Sequence, residues 1–375
     1  MTVDRLLRQA REVFEVPRDL MLRRYPPFVT GGPLPRGQVP VFVFHGLEPQ
    51  SFGRKLQHLA DNGYHTLSAD EYLTVLSGSA QAPERAVVLT FDDGRASLAD
   101  VGAPLLQRHG MRGIVFLVPG RTPDRPEPPP GRAETLLSWE EVAALSSSGV
   151  FDFQSHTLLH ARIHVEPRVA GFMAPWMRHG YASFDVPLLD RGGRDLLAED
   201  VPLGTPLLRS EPRTSECLRF HEDGEAGRAC VETVAANGGE AFFARTGWER
   251  ELRRLAGGRP WSGRFETRAD QESAIRRELE EARRVIERHT GRPAVHLCYP
   301  WHAAGPTARR LAREAGYRAA FCGKVEGVPI TAPGGDPQRI ARIGEDYVEL
   351  LPGKGRADLV SVLRRKWSRR MRGGT

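Results

Sequence analysis

Short apolar runs that alternate with helix-period segments constrain this chain more than any other feature. Residues 39–45 (VPVFVFH) form a continuous apolar run of buried-strand type, followed by Phe52, Leu56 and Leu59 at helical spacing and a stop at Gly63. The pattern returns in AVVLTF (86–91), with Val101, Leu105 and Leu106 marking a helix before Gly110, and again in GIVFLV (113–118). Strands that are apolar on both faces belong to parallel sheets covered by helices. Ser138, with Glu141 three residues on, predicts a capping box, and VFDFQSH (150–156) is the next strand.

From about 165 to 266 this regularity is lost, and Gly, Pro and Arg accumulate in stretches such as APWMRHGY, with only a few helical patches. Order resumes with Ile275, Leu279, Ala282 and Ile286 on one face of a long helix. AVHLCYP (294–300), a helix over 305–315 and YRAAFC (317–322) follow. Six or seven βα units in one run fit an α/β barrel better than a small open sheet, although periodicity alone does not show closure. The expected organisation is an N-terminal extension (1–38), a barrel (39–345) interrupted by the 165–266 insertion, and a basic tail (346–375).

A hydrophobic share of 40% and a charged share of 27% are those of an ordinary globular protein. The net charge of +6 is concentrated at the ends, including RRKWSRRMRGGT. Such a run is usually a solvated end, but residues 358–371 also suit a short basic amphipathic helix with Leu359, Val362, Leu363 and Trp367 on one side. That helix would dock loosely on anionic lipid. No nucleic-acid reader motif accompanies the charge, so no nucleic-acid partner is expected. The start of the sequence has no apolar signal core and no stretch approaches the length of a membrane span. The expected location is therefore the cytoplasm, with peripheral contact at the inner membrane face through the tail. Cys217, Cys230, Cys298 and Cys322 show no CxxC spacing and read as unpaired thiols.

In α/β folds, chemistry gathers where parallel strands end. That rule collects His45 after the first strand, Asp92 and Asp93 after the second, His156 and His160 after FDFQS, and Tyr299 and His302 after the last long strand. Two imidazoles and one carboxylate are a common ligand set for catalytic zinc. The i, i+4 spacing of SHTLLH puts its histidines on one side of a helical turn, or lets a loop wrap them round one ion. One Asp of the pair can then ligate while the other takes a proton from water. Each piece has a plainer reading: DDG as a turn and helix cap, HxxxH as chance in a chain with twelve histidines, His45 as a buried, hydrogen-bonded ring. Their joint placement at strand ends carries the argument. The chain lacks GxGxxG after a strand, GxxxxGK[ST], GxSxG and HExxH, which removes most support for nucleotide binding and serine hydrolysis.

LTFDDG and SHTLLH together resemble the first two motifs of the polysaccharide deacetylases, carbohydrate esterase family four, which share the nodulation-factor deacetylase domain. The resemblance covers roughly 39–164 and 267–345 and implies an irregular (β/α)7 barrel with the long insertion after the histidine motif. It makes Asp92 the general base and gives Asp93, His156 and His160 to a divalent metal, usually zinc, with cobalt, nickel and manganese as alternatives. The segment from residue 39 is similar to the branch containing poly-N-acetylglucosamine deacetylases, which implies that His45 is the general acid. CYPWH is similar to the family's YPYG motif, with His302 where glycine is common, so Tyr299, Pro300, Trp301 and His302 are expected to line the pocket. A backbone N–H near Tyr299 is expected to meet the oxyanion. RIARIGEDY is similar to that branch's late segment and makes Arg342 a candidate to orient the base.

The expected reaction is hydrolysis of an N-acetyl group on an amino sugar, either lipid-linked, nucleotide-linked or part of a glycan or glycosylated metabolite. The alternatives are a catalytically silent carbohydrate-binding barrel and a deacylase of a small non-sugar amide. The insertion, placed directly after the histidines, is expected to wall the pocket.

Overall fold

The computed structural model describes residues 19, 21, 22, 24–127, 135–223, 227–258 and 260–371. Most of the expected N-terminal extension, part of the proline-rich stretch PDRPEPPPGR (123–132) and the end of the basic tail lie outside the described residues. The first half alternates β1 (Val41–Phe44), α1 (Pro49–Asp61), β2 (His65–Thr66), α2 (Ala69–Leu76), β3 (Ala86–Phe91), α3 (Ala103–Arg108), β4 (Gly113–Leu117), α4 (Trp139–Ser148) and β5 (Phe151–Ser155). Helix α4 opens on the expected capping box, in which the Ser138 hydroxyl accepts from the Glu141 N–H and the Glu141 carboxylate accepts from the Ser138 N–H.

The insertion has more order than its composition suggests. β6 (Arg162–Phe172) leaves the barrel, the hairpin of β7 (Leu189–Arg191) and β8 (Arg194–Leu196) follows, and β9 (Pro206–Pro212) returns antiparallel to β6. β10 (Phe220–Glu222) then leads to α5 (Arg228–Ala236) and α6 (Trp248–Ala256), and β11 (Gly263–Phe265) comes back to pair with β10. Phe172, Cys230, Val234, Phe242, Phe243 and Leu252 give this region a small apolar core of its own. The few helical patches are present as α5 and α6, and the expected loss of regularity is corrected by the paired strands around them. β6 pairs with a strand more than thirty residues away and carries register shifts after His164 and Val169, so it shows no clean period of two.

The chain continues with α7 (Arg268–Thr290), β12 (His296–Cys298), α8 (Pro306–Glu314), β13 (Ala319–Phe321), β14 (Ile343–Gly344) and α9 (Leu359–Met371). The parallel order is β13-β12-β5-β4-β3-β1-β14, with the short β2 beside the start of β3. The chain around β14 closes the ring. Ile343 pairs with Phe42 of β1, while Ile340 bridges Phe321 of β13 and exchanges hydrogen bonds with Ala320 and Cys322. Seven strands therefore form the irregular βα barrel, with helices outside it.

Alternation along the strands decides what faces inward. In β3, Val87, Leu89 and Phe91 join the core beneath the helices, whereas Ala86 and Val88 join the interior cluster. Thr90 and Asp92 continue that interior face. In β12, Cys298 lies inside, and Leu297 and Tyr299 pack outside with Ile275, Leu279 and Leu311. In α9, Val362 is buried in the main core and Leu359 packs against it. Arg365 and Lys366 pair with Glu349 and Asp346, and Trp367 is left exposed. The helix thus docks on the barrel through Val362 and Leu359. None of the helices searched among the described residues is long and apolar enough to cross a membrane.

Candidate active site

The mouth of the barrel is built from strand ends. Adjacent residues on an extended strand point to opposite faces, so Asp92 and Asp93 could not both serve one site if β3 continued. The backbone turns instead: Asp93 takes φ 67° and Gly94 φ 71°. A side chain at Gly94 would meet Cδ2 of Leu117 at 2.5 Å, so the turn requires glycine on two counts. Both carboxylates end up buried at the mouth.

His156 and His160 come from the loop after β5. The loop is irregular rather than a helical turn, with Thr157 at φ 62° and His160 at φ 52°. That resolves the two readings of SHTLLH in favour of a wrapped loop. Each imidazole Nε2 lies 3.6 Å from Oδ1 of Asp93, and the three ligand-type atoms fall within 4.8 Å of one another. Nδ1 of His156 is 2.8 Å from the Cys298 carbonyl, the arrangement in which Nδ1–H donates and Nε2 keeps a free lone pair. Burial lowers the pKa of both imidazoles, against the pull of Asp92 and Asp93, and so favours the neutral form that ligates metal. This set fits a divalent ion. Asp92, His156 and Cys298 also lie within 4.8 Å of one another, but burial pushes the Cys298 thiol well above its usual value, and Arg342 already binds Asp92.

Asp92 sits beside the triad. Its Oδ1 accepts from Nη1 of Arg342 at 2.6 Å and its Oδ2 from Nη2 at 2.8 Å, a two-point clamp. Burial raises the carboxyl's pKa, but the Arg342 guanidinium, helped by His156, outweighs it and holds the group far below the usual range. Asp93 behaves likewise: burial opposes ionisation, while Arg95 and then His160 favour it more strongly. Both groups are carboxylates at neutral pH. His45 stands at the open rim, with a side chain 54% exposed and Nε2 3.9 Å from Oδ2 of Asp92.

The CYPWH residues divide. Trp301 packs its ring 4.1 Å from that of His160, and His302 brings Nδ1 to 3.4 Å from Nη2 of Arg342. Both have left-handed backbone, at φ 48° and 60°. Pro300 is buried in the turn that leads into them. Tyr299 does not line the pocket: its side chain is fully buried on the outer side of the sheet, and its N–H donates to the Phe321 carbonyl at 3.4 Å. The expected wall residue is therefore a packing residue, because it lies one step out of phase with Cys298.

Sequence reasoning missed several neighbours. Arg95 donates from Nε and Nη2 to Oδ2 of Asp93 at 2.9 and 2.5 Å. Tyr181 and Phe184, from the insertion, cover this corner: the Arg95 guanidinium lies 3.1 Å from the Tyr181 ring centre, and Phe184 meets His160 edge-on at 4.8 Å. Oε2 of Glu278, in α7, accepts from the Leu159 N–H at 3.0 Å. Arg95 had a signal, being two residues past Asp93; the aromatic pair had none, since nothing local links 181 to 95.

Residues 79–172, which include Asp92, Asp93, His156 and His160, match the family described as polysaccharide deacetylase. YxkH of Bacillus subtilis (strain 168), named as a candidate polysaccharide deacetylase, is 24% identical over 135 residues, covering 34% of this chain and 45% of that protein. The poly-beta-1,6-N-acetyl-D-glucosamine N-deacetylase of Escherichia coli (strain K12) is 23% identical over 210 residues, covering 53% of this chain and 31% of that one. The chain thus spans less than half the length of these curated relatives. A de-N-acetylase from Aggregatibacter actinomycetemcomitans superposes with a TM-score of 0.50 at 17% identity, covering 88% of this chain and 99% of that one. The BpsB deacetylase domain from Bordetella bronchiseptica gives 0.50 at 16% identity, covering 83% and 98%. These two likenesses carry the barrel fold. The segment 79–172, which carries both motifs, is what this chain shares with the polysaccharide deacetylases.

Proposed function

We propose that this protein hydrolyses the N-acetyl group of an amino sugar with a divalent metal, zinc being the best match to a two-histidine, one-carboxylate site. The observation that carries the reading is the division of the aspartate pair, with Asp93 facing two neutral imidazoles and Asp92 beside them, clamped and ionised. An ion held by Asp93, His156 and His160 supplies Lewis acidity toward the acyl oxygen and a lower pKa for water.

This chain's own residues do the rest. Asp92 accepts the proton of the attacking water on a lone pair that Arg342 leaves free, while Arg342 fixes the carboxylate's orientation. His45, 3.9 Å from Asp92 and open to the rim, protonates the departing amine. Trp301 and His302 form the adjoining wall, and Tyr181 and Phe184 extend it from the insertion. Phosphate-linked precursors, whether nucleotide- or lipid-linked, are the substrates this reading favours.

The test compares two substitutions across a panel of N-acetylated amino sugars. Asp92→Asn is expected to retain metal but lower acetate release by about 10²–10⁴-fold, the usual contribution of a positioned base. His156→Ala is expected to lose both metal and activity. Near-normal turnover by Asp92→Asn would rule out this mechanism.

A further inference from the structure

His302 stands in the mouth with one donor unused. Its side chain is exposed, yet its place is closely set. The backbone is left-handed at φ 60°, and the ring lies against Gly323, where any Cβ would overlap ring atoms Cγ and Cδ2. Nδ1 is 3.4 Å from Nη2 of Arg342, which also reaches Oδ2 of Asp92 at 2.8 Å and Sγ of Cys298 at 2.9 Å. A guanidinium N–H can only donate, so Nδ1 turns its lone pair toward Arg342 and the hydrogen of the neutral ring sits on Nε2. Nε2 makes no hydrogen bond among the described residues. An exposed ring with a fixed tautomer therefore holds one N–H for a molecule that enters the mouth.

Asp92 decides which part of that molecule meets it. Oδ2 of Asp92 is the oxygen 3.9 Å from Nε2 of His45, and it is also the oxygen bonded to the Arg342 nitrogen beside His302. His45 and His302 thus gather around the same carboxylate oxygen. Trp301, one residue earlier, goes to the other side and packs on His160 at 4.1 Å. In a deacetylation the acyl oxygen turns toward Asp93, His156 and His160, while the departing nitrogen, with the sugar ring attached, turns toward its proton donor. With His45 as that donor, the sugar ring and His302 share the Oδ2 side. The sugar oxygen nearest the departing nitrogen is the one on the neighbouring ring carbon.

We propose that His302 is a specificity-determining residue whose Nε2–H donates to the sugar hydroxyl on the carbon next to the acetamido group. Amino sugars with a free hydroxyl at that carbon are then the preferred substrates. The inference rests on the deacetylation reading, with His45 as the acid, and adds a substrate feature to it. Arg342 gains a second task, since the nitrogen that holds Asp92 also fixes the tautomer of His302.

The experiment uses the zinc-loaded full chain and three probes: the methyl glycoside of N-acetylglucosamine, its 3-deoxy analogue, which lacks the neighbouring hydroxyl, and its 4-deoxy analogue, which lacks one a carbon further away. Loss of the 3-hydroxyl is expected to lower kcat/KM for acetate release by about tenfold, as the loss of one hydrogen bond to a placed donor allows. Loss of the 4-hydroxyl is expected to cost about twofold or less. His302→Gly, which suits the left-handed backbone, is expected to bring the parent and 3-deoxy probes to equal rates with zinc content unchanged. His302→Gln, whose side-chain amide restores an N–H, is expected to keep part of the preference. Equal use of the parent and 3-deoxy probes by the unmodified protein overturns the inference. So does a His302→Gly variant whose rates fall equally on both, since the ring would then serve Arg342 rather than the sugar. Calorimetric binding of the same probes separates the two readings. If no probe releases acetate but the parent binds more tightly than the 3-deoxy probe, and His302→Gly removes that difference, the deacetylation reading fails and the hydroxyl contact stands. If binding is absent or ignores the 3-hydroxyl, the contact fails as well.

Discussion

Asp92 and Asp93 are joined by one peptide bond, and the site needs them to do different things. Asp93 is itself left-handed, its φ of 67° turning its carboxylate back toward the histidines that an extended chain would leave behind. The sequence shows both carboxylates and a following glycine, and that was enough to assign the pair to a strand end. The same strand logic, carried one position further, would have excluded Tyr299. Cys298 faces the interior with Asp92, so its neighbour must face the helices. The motif suggested a pocket residue; the pleat forbids it. The Tyr299 hydroxyl is buried without a hydrogen-bond partner among the described residues. Tyr299→Phe is therefore expected to leave acetate release unchanged and to hold or raise stability, by up to about 1 kcal/mol, because an unsatisfied buried hydroxyl is removed. A clear loss of turnover with the metal retained would show that this residue contributes to the site after all.

At the scale of elements, the histidine loop depends on a helix that lies far from it in sequence. Helix α7 was legible from Ile275, Leu279, Ala282 and Ile286, all of which are buried as that spacing requires. Its polar member Glu278 was not, because a lone acid on a helix rich in charges carries no sign of burial. Yet the Glu278 carbonyl accepts from the Leu158 N–H at 3.1 Å, and its carboxyl accepts from the Leu159 N–H, so one residue ties down the chain between His156 and His160. Outer contacts of this kind commonly set metal affinity. Glu278→Ala is expected to weaken zinc binding by about 10–100-fold, and Glu278→Gln, which keeps the acceptor, to retain most of it. Equal losses in the two variants would mean that the carboxyl's charge, rather than its hydrogen bond, holds the loop. The insertion was legible in extent but not in content, since the ribbon of β6 and β9 depends on a partner that local pattern does not reveal.

For the whole molecule, closure is what brings the site together. Arg342 reaches Asp92 because residues 340–344 are bonded to β13 on one side and to β1 on the other, so the clamp on Asp92 forms only when the barrel does. No periodicity in the sequence could show this, since β14 is two residues long. The barrel also buries a histidine away from the mouth. His296 opens β12 at 1% exposure, with Nε2 3.6 Å from the largely exposed Asp70 and Nδ1 without a partner among the described residues. Burial lowers its pKa from 6.5 to about 4, against a smaller pull from Asp70. In the unfolded chain the ring takes a proton near pH 6.5, but in the folded chain only near pH 4. Between those values the unfolded state holds more protons, so folding stability is full above the window and falls as the pH drops through it. The steepest slope from this one group is about 1.4 kcal/mol per pH unit, or roughly 3 kcal/mol across the window. Denaturant midpoints taken from pH 7 to pH 4 are expected to fall less steeply in His296→Gln than in the unmodified protein. If the two curves run parallel, His296 titrates alike in both states and the acid sensitivity of the barrel lies elsewhere.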